Sequence, residues 1–480
     1  MQEAARNRLA SIALKMKDNE AERLSLPLRS VELNTAFGSL QAEHIKVTNQ
    51  TAPISSLPNE TLADIFEILH GLQEGKSTPI AELSEIIVSH VISHWRNVAL
   101  RVPKLWTRIW RKSNQWSLGI IAAYLERSQR LPIDIRVDVG QNKDSRDIDV
   151  TYFYKTLIRP HMGRCRHLSV QAPTCQVIYG QLSLFSTQPA PFLESTDLMS
   201  HEHDDSKRRS LVPGDLLSGG APMFTALRLR GPNTQHFCSS FSILPSIKVM
   251  WFDDIKHATP FCAANLTHLK LTNLDLFDDS YQSTILPCLL TIAIKVGDAR
   301  PNAVSEFLMG LTAPSLEAIY FGNLIYEDMD IPWSHTRFPS LHIIALTMPR
   351  EDMDEPDTRQ LATRLPAITH LTYHDDTQKV LSSVLGAEQV DSGTSTAKYW
   401  PNLHTLHVQR CTEKDILDLL HSRRRLNAPI KKLLVDTTDH EYVHGICSRV
   451  FSDLEIEEIT GDLLESLYPL HQPWSEAVHV

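Results

Sequence analysis

The chain has 480 residues, 42% of them hydrophobic and 22% charged, with a formal net charge of −10 and a pI near 6.1. That length allows roughly two to four domains, or one small domain joined to an extended array. The acidic balance argues against non-specific nucleic-acid binding, which relies on a basic surface, and no apolar run approaches the roughly 18–20 residues of a membrane span.

Residues 1–50 are expected to form a helical N-terminal extension. Leu9, Ile12 and Met16, and later Leu33, Phe37 and Leu40, recur at helical intervals, with Pro27 interrupting between the two runs. Such a segment reads either as a coiled-coil or docking arm or as a loosely packed extension. It carries no continuous apolar stretch of the secretory kind. The seven cysteines, Cys165, Cys175, Cys238, Cys262, Cys288, Cys411 and Cys447, are scattered without a C-x-x-C pair. That is the pattern of reduced core residues in a cytoplasmic or nuclear protein.

The first strong local signal begins at Leu57-Pro58. Proline suits the first turn of a helix, because its missing N–H would be unpaired there anyway. Glu60 follows where a negative charge suits the helix dipole. Leu62, Ile65, Phe66 and Leu69 then fall at i, i+3, i+4 and i+7, on one stripe. Gly71 is expected to end this helix. A second helical run carries Ile87, Val91, Trp95, Val98 and Ala99, and Pro103 stops it. A short aromatic-rich helix with Leu105, Trp106, Ile109 and Trp110 is expected to complete a three-helix unit over 51–112. A unit this small buries little surface and gains from a partner that covers its remaining apolar face.

The segments LPNETLADIFEIL (57–69) and SHVISHWRNVALRVPKLWTRIW (89–110) together resemble the F-box, in the form common in mushroom-forming fungi. YLERSQRLPIDIRV (124–137) is similar to the segment that follows the F-box in that group. The linker from His70 to Ser84 is longer than a minimal F-box would have. The resemblance implies an adaptor that joins a target to a cullin ubiquitin ligase through a Skp-type subunit, with cullin and RING subunits reached through it. On that reading Leu57, Pro58, Ile65, Phe66, Leu69, Val91, Trp95, Leu105 and Trp106 contact the Skp-type adaptor or support those that do.

From about residue 130 an apolar pattern, φ-x-x-φ-x-φ, recurs, often with proline two residues before its first apolar position. Clear copies are PSLEAIYF (314–321), PSLHIIAL (339–346), PAITHLTY (366–373) and PNLHTLHV (401–408). With weaker copies included, the central apolar residues are Leu227, Met250, Leu269, Ile292, Ile319, Ile344, Leu371, Leu406 and Leu433. Their spacing overlaps the leucine-rich-repeat period of about 20–29 residues. Each φ-x-φ end fits a short strand, and helical runs such as Val304, Phe307, Leu308 and Leu311, or Ile416, Leu417, Leu419 and Leu420, lie between some of them. The expected fold is therefore α/β: a small three-helix F-box at 51–112, then an irregular leucine-rich-repeat-like solenoid with a parallel sheet at 113–465. The span 171–221 reads as an irregular loop or insertion, although PFLESTDL (191–198) has the look of a degenerate repeat. Residues 466–480 are a C-terminal tail.

In such a sheet, residues between the inward apolar positions face outward. That puts Arg228, Arg230, Trp251, Lys270, Lys295 and Tyr320 on the expected target-binding face, with Asp253, Thr272, Thr372, His374, His407 and Gln409 beside them. The local excess of cations suggests an anchor for an acidic or phosphorylated peptide, against the plainer reading of solvated sheet residues.

No nucleophile elbow, phosphate loop or H-E-x-x-H zinc motif occurs, so no catalysis and no cofactor are expected. His201-Glu202-His203-Asp204-Asp205 lacks the second ligand cluster that a structural zinc site needs. Lys207-Arg208-Arg209 and Arg423-Arg424-Arg425 read as solvated charge runs or a localisation signal. The main expectation is a non-catalytic, substrate-recruiting F-box subunit. The alternatives are an interaction scaffold acting without a ligase, and an enzyme with its site in the 171–221 span.

Overall fold

The computed structural model describes residues 2–51, 53–72, 83–112, 118–138, 153–174, 177–178, 180, 183, 187–200, 217–231, 246–253, 263–273, 283–296, 303–322, 337–347, 355–374, 384–386, 388–391, 394–408, 413–436, 443–445, 447 and 449–459. The chain divides into two compact units between Leu105 and Trp106.

In the first unit, helix α1 spans Gln2–Thr51 without the expected interruption. It runs through Pro27 and forgoes the bond that the missing N–H cannot make. Leu9, Ile12, Met16, Leu33, Phe37 and Leu40 are all exposed. Helix α2 spans Asn59–Leu72. The Pro58 carbonyl accepts its first bond from the Leu62 N–H at 3.1 Å, so the proline stands one position ahead of the helix. Gly71 is inside the last turn and does not end the run.

The run expected as one second helix is two. Helix α3 is Ser84–Val91 and α4 is Ser93–Ala99, separated by an extended Ile92 at φ −144° and ψ 160°. The Arg96 Nε donates to the Ser89 carbonyl at 2.6 Å and ties the two pieces across this break. The expected third helix is corrected too. A single 3-10 turn, Pro103–Trp106, ends the helical region, and Ile109 and Trp110 lie on a strand. Here a strand neighbour decides the conformation of a short apolar run that periodicity alone cannot assign.

The second unit is built on one parallel sheet. Among the described residues it has fourteen strands, each paired with the next in sequence order. They are β1 (Arg108–Lys112), β2 (Ile133–Asp138), β3 (Cys165–Ala172), β4 (Ser195–Ser200), β5 (Ala226–Arg230), β6 (Val249–Asp253) and β7 (His268–Thr272). The series continues with β8 (Thr291–Lys295), β9 (Ala318–Gly322), β10 (Ile343–Thr347), β11 (His370–His374), β12 (Thr405–Val408), β13 (Lys432–Asp436) and β14 (Glu455–Ile459). Strand β4 lies within 171–221, so this span contributes a full member of the sheet and is not an insertion. The segments 201–210 and 466–480 lie outside the described residues.

The register explains the sequence pattern. Leu227, Met250, Leu269, Ile292, Ile319, Ile344, Leu371, Leu406 and Leu433 align in one lateral row, each the Cα partner of the next. All nine are buried. Ile109, Ile135, Leu168 and Thr196 extend the row on one side and Ile456 on the other.

The recurring proline has a backbone cause. In Ala313-Pro314-Ser315-Leu316 the Leu316 N–H donates to the Ala313 carbonyl at 3.1 Å, which puts the proline at the second position of a β-turn. Its fixed φ is already correct there. The same bond closes turns at Pro191, Pro222, Pro287, Pro339, Pro366 and Pro401. Serine hydroxyls stitch neighbouring turns: Ser315 to the Pro287 carbonyl at 2.7 Å, and Ser340 to the Pro314 carbonyl at 3.0 Å. After each of these turns except the one at Pro191, two successive N–H groups donate to one carbonyl of the preceding repeat, as Glu317 and Ala318 do to Leu290. Helices Leu118–Arg127 (α5), Ala303–Gly310 (α6), Glu355–Arg364 (α7) and Glu413–Arg425 (α8) lie between strands. Two of them, α6 and α8, cover the helical runs expected around Val304 and Ile416.

Candidate functional site

The helical unit offers the first candidate surface. Its inner stripe on α2 is Leu62, Phe66 and His70, at i, i+4 and i+8, and not the expected Leu62, Ile65, Phe66 and Leu69. The Phe66 ring packs on Trp95 of α4 with centroids 5.4 Å apart. His70 and Glu85, both buried, pair at 3.4 Å and clip α2 to α3, with the Ser84 hydroxyl donating to the same Glu85 oxygen at 3.3 Å. Lys104 and Glu67 meet at 2.9 Å near the surface.

This packing sorts the expected adaptor residues. Leu69, Val91 and Pro58 are exposed, while Leu57, Ile65 and Trp95 are half-buried. Phe66 and Leu105 are buried and present no surface to a partner. Trp106 belongs to the sheet unit, 1% exposed, with its ring edge-on to Tyr124 at 4.9 Å and the Arg127 guanidinium 4.6 Å from its centre. Ile68, Leu72 and Ile87 are exposed apolar residues that add to the surface. Ile68 and Leu72 were legible only as the outer neighbours of a stripe whose centre the sequence placed slightly wrong.

The second candidate surface is the outward face of the sheet. One lateral row there reads Trp110, Arg136, Ser169, Asp197, Arg228, Trp251, Lys270, Ala293, Tyr320, Ala345, Thr372 and His407. The next reads Asp138, Gln171, Met199, Arg230, Asp253, Thr272, Lys295 and Gly322. Strand pairing thus gathers side chains from Trp110 to His407, about 300 residues apart in sequence, into bands about 4.8 Å per strand.

The centre of the first row is a buried charge network. Arg228 lies between two carboxylates, its Nε 3.9 Å from Asp197 and its Nη2 3.3 Å from Asp253. Its guanidinium is also 3.7 Å from the centre of the Trp251 ring, and the Lys270 ammonium, from the strand on the other side, is 3.7 Å from the same ring. Asp253 receives the Trp251 Nε1–H at 2.8 Å and the Thr272 hydroxyl as well. Burial raises the Asp197 pKa against the pull of Arg228 and Arg136. Burial lowers that of Arg136, with Asp197 opposing. Arg136 in turn lies 5.0 Å from the centre of the Trp110 ring. These are interlocked and mostly buried groups, so neither simple solvation nor a free Arg228 describes them.

Tyr320 is also corrected. It is 2% exposed and packs with Ala293, Ala318 and Ala345 in an apolar cluster on this face, and burial raises its pKa. His407 is buried, Gln409 lies outside the described residues, and Arg230 and Lys295 keep their outward positions.

The C-terminal basic run is not uniformly solvated. Arg423 is 0% exposed, and its guanidinium donates to the carbonyls of Ala428, Tyr399, Trp400 and Leu403 at 3.0, 3.1, 2.9 and 3.3 Å. Arg424 pairs with Asp453 at 2.9 Å. Cys165 and Cys447 are buried free thiols, and burial pushes the Cys165 pKa up. Among the described residues no group of three or more histidine, cysteine or carboxylate side chains is arranged to hold a metal ion. The acidic-histidine segment 201–205 and Lys207-Arg208-Arg209 lie outside the described residues. Among those residues no helix is long and apolar enough to cross a membrane. No family model matches the chain, and no curated protein matches it.

Proposed function

We propose that the chain is an F-box-type substrate receptor. Helices α2–α4 dock a Skp-type adaptor, and the sheet, read as a leucine-rich-repeat-like solenoid, holds a target protein. The observation that carries this reading is the set of exposed apolar side chains on the helical unit. Ile68, Leu69, Leu72, Ile87 and Val91 stay outward while Leu62, Phe66, Val88, Val98 and Ala99 fill the interior. Apolar side chains left exposed on a small helical unit fit a surface that a partner covers. The sheet supports the second half of the reading: fourteen strands at about 4.8 Å each give a face about 60 Å long. In this role the chain performs no bond chemistry. It contributes proximity and orientation to ubiquitin transfer carried out by cullin-bound subunits.

The test is affinity capture of the full chain with mass spectrometry, comparing wild type with Leu57→Ala/Pro58→Ala and with Ile68→Asp/Leu69→Asp. A Skp-type adaptor should co-purify with wild type and be lost with both variants. Absence of any adaptor from the wild-type capture sinks the proposal, and target capture retained without an adaptor would leave the interaction-scaffold reading in its place.

A further inference from the structure

We infer that the outward sheet face carries a seat for anionic peptide side chains, built from Arg230, Lys270 and Lys295. The inference rests on reading this face as the target-binding surface. On strands β4–β8 the two central rows hold four cations, Arg228, Arg230, Lys270 and Lys295, against two carboxylates, Asp197 and Asp253, in a chain whose net charge is −10.

Both carboxylates are committed inward to Arg228. Asp253 is further saturated by the Trp251 N–H and the Thr272 hydroxyl, so its charge is already met from within the network. Arg230 and Lys295 differ. Among the described residues neither has an ion pair or a side-chain hydrogen bond. They share one register row, with Asp253 and Thr272 between them, so their Cα atoms stand about 14 Å apart. A long arginine and a long lysine span that gap from both ends toward one bound anion. Lys270 stands one position back, between them, with its ammonium held against the Trp251 ring.

The backbone beneath this seat is fixed. Gly231 follows Arg230 at φ +73°, where a Cβ would come within 2.5 Å of the Ser200 carbonyl oxygen, so only glycine closes this strand end. Asn273, at φ +52°, donates its N–H to the Lys295 carbonyl at 2.8 Å. Gly322 leaves room for the Lys295 stem, since a Cβ there would stand 3.2 Å from Lys295 Cγ. A guanidinium with two ammonium groups on a rigid sheet matches a carboxylate or phosphate oxyanion. The acidic balance of the whole chain disfavours a long nucleic-acid polyanion and leaves a short acidic segment of a protein as the fitting ligand.

The test uses the purified full chain and fluorescence anisotropy with three short labelled peptides: glutamate-rich, phosphoserine-containing, and a neutral glutamine-rich control. Both acidic peptides should bind, and the neutral one should not. Binding should weaken with added salt and fall about tenfold or more in Arg230→Glu/Lys295→Glu. Tighter binding of the phosphoserine peptide assigns the seat to phosphate, and equal binding assigns it to carboxylate. Equal affinity for the neutral peptide, or undiminished binding by the charge-reversed variant, overturns the inference. Adaptor capture by the same variant is measured alongside. Loss of peptide binding with the adaptor retained supports the seat, whereas peptide binding by a chain that captures no adaptor keeps the seat and removes the ligase role.

Discussion

Replacing Arg423 by methionine would measure what one buried cation contributes to the repeat sheet. The guanidinium reaches four carbonyls, from Ala428, Tyr399, Trp400 and Leu403, and has no exposed surface. Burial lowers its pKa to about 10, so it stays charged at neutral pH. In the methionine variant the Trp400 carbonyl keeps a bond from the Leu403 N–H at 3.0 Å, while the other three lose the donor that reaches them. At about 1–3 kcal/mol for each orphaned buried acceptor, the gross loss is about 3–9 kcal/mol. Burying the methionine side chain and releasing the guanidinium from its desolvated site offset part of this, which leaves a net loss of about 2–5 kcal/mol. Trp400 sits at φ +43°, a conformation unfavourable for a bulky residue, and the clamp on its carbonyl helps to hold it there. Urea unfolding followed by circular dichroism would give the stability change, and amide exchange would locate it. Faster exchange should appear first in Thr405–Val408 and Glu413–Arg425, on either side of the clamp. Arg423→Lys should fall between wild type and methionine, because one ammonium cannot reach four carbonyls in a fixed fan. A methionine variant within about 1 kcal/mol of wild type, with unchanged exchange, would refute the clamp.

Two further predictions concern the sheet. Arg228→Ala leaves Asp197 and Asp253 without their shared cation and should cost about 3–5 kcal/mol in urea unfolding, whereas Arg230→Ala should stay within about 0.5 kcal/mol of wild type. Similar losses in both would contradict the division between internal and outward-facing cations. The second concerns His370, which lies 5.0 Å from His404 and 6.0 Å from His342, ring centre to ring centre. Burial first, then His404, His342 and Lys432, lowers its pKa. The unfolded chain therefore takes up a proton at this residue at higher pH than the folded one. The His370 contribution is intact above about pH 6.5, and stability declines as pH falls from there toward its lowered folded value. His370→Asn should flatten the loss of stability on acidification below about pH 6.5, and an unchanged slope would exclude this residue as its source.

The sequence by itself determined where the repeat strands begin and which of their residues turn inward. Nine apolar marks chosen by spacing fall in one lateral row, because side-chain alternation and burial on one face fix register wherever a sheet has a core. Proline marked the turns for an equally local reason, its preset φ. The helical start at Leu57-Pro58 was legible in the same way. What lay beyond the sequence was every property set by a neighbour distant in the chain. Ile109 and Trp110 became a strand only because β2 lies beside them. The span 171–221 joined the sheet through β4, whose inward Thr196 breaks the apolar pattern. Arg228 looked like a free binding cation until Asp197 and Asp253, 31 residues before it and 25 after it, were brought to its side. Tyr320 looked outward until the alanines of adjacent strands packed around it, and Arg423 looked solvated until four carbonyls converged on it. Local spacing carries period and face. Whether a charge on that face is spent internally or left for a partner depends on strand pairing, which only the tertiary structure supplies.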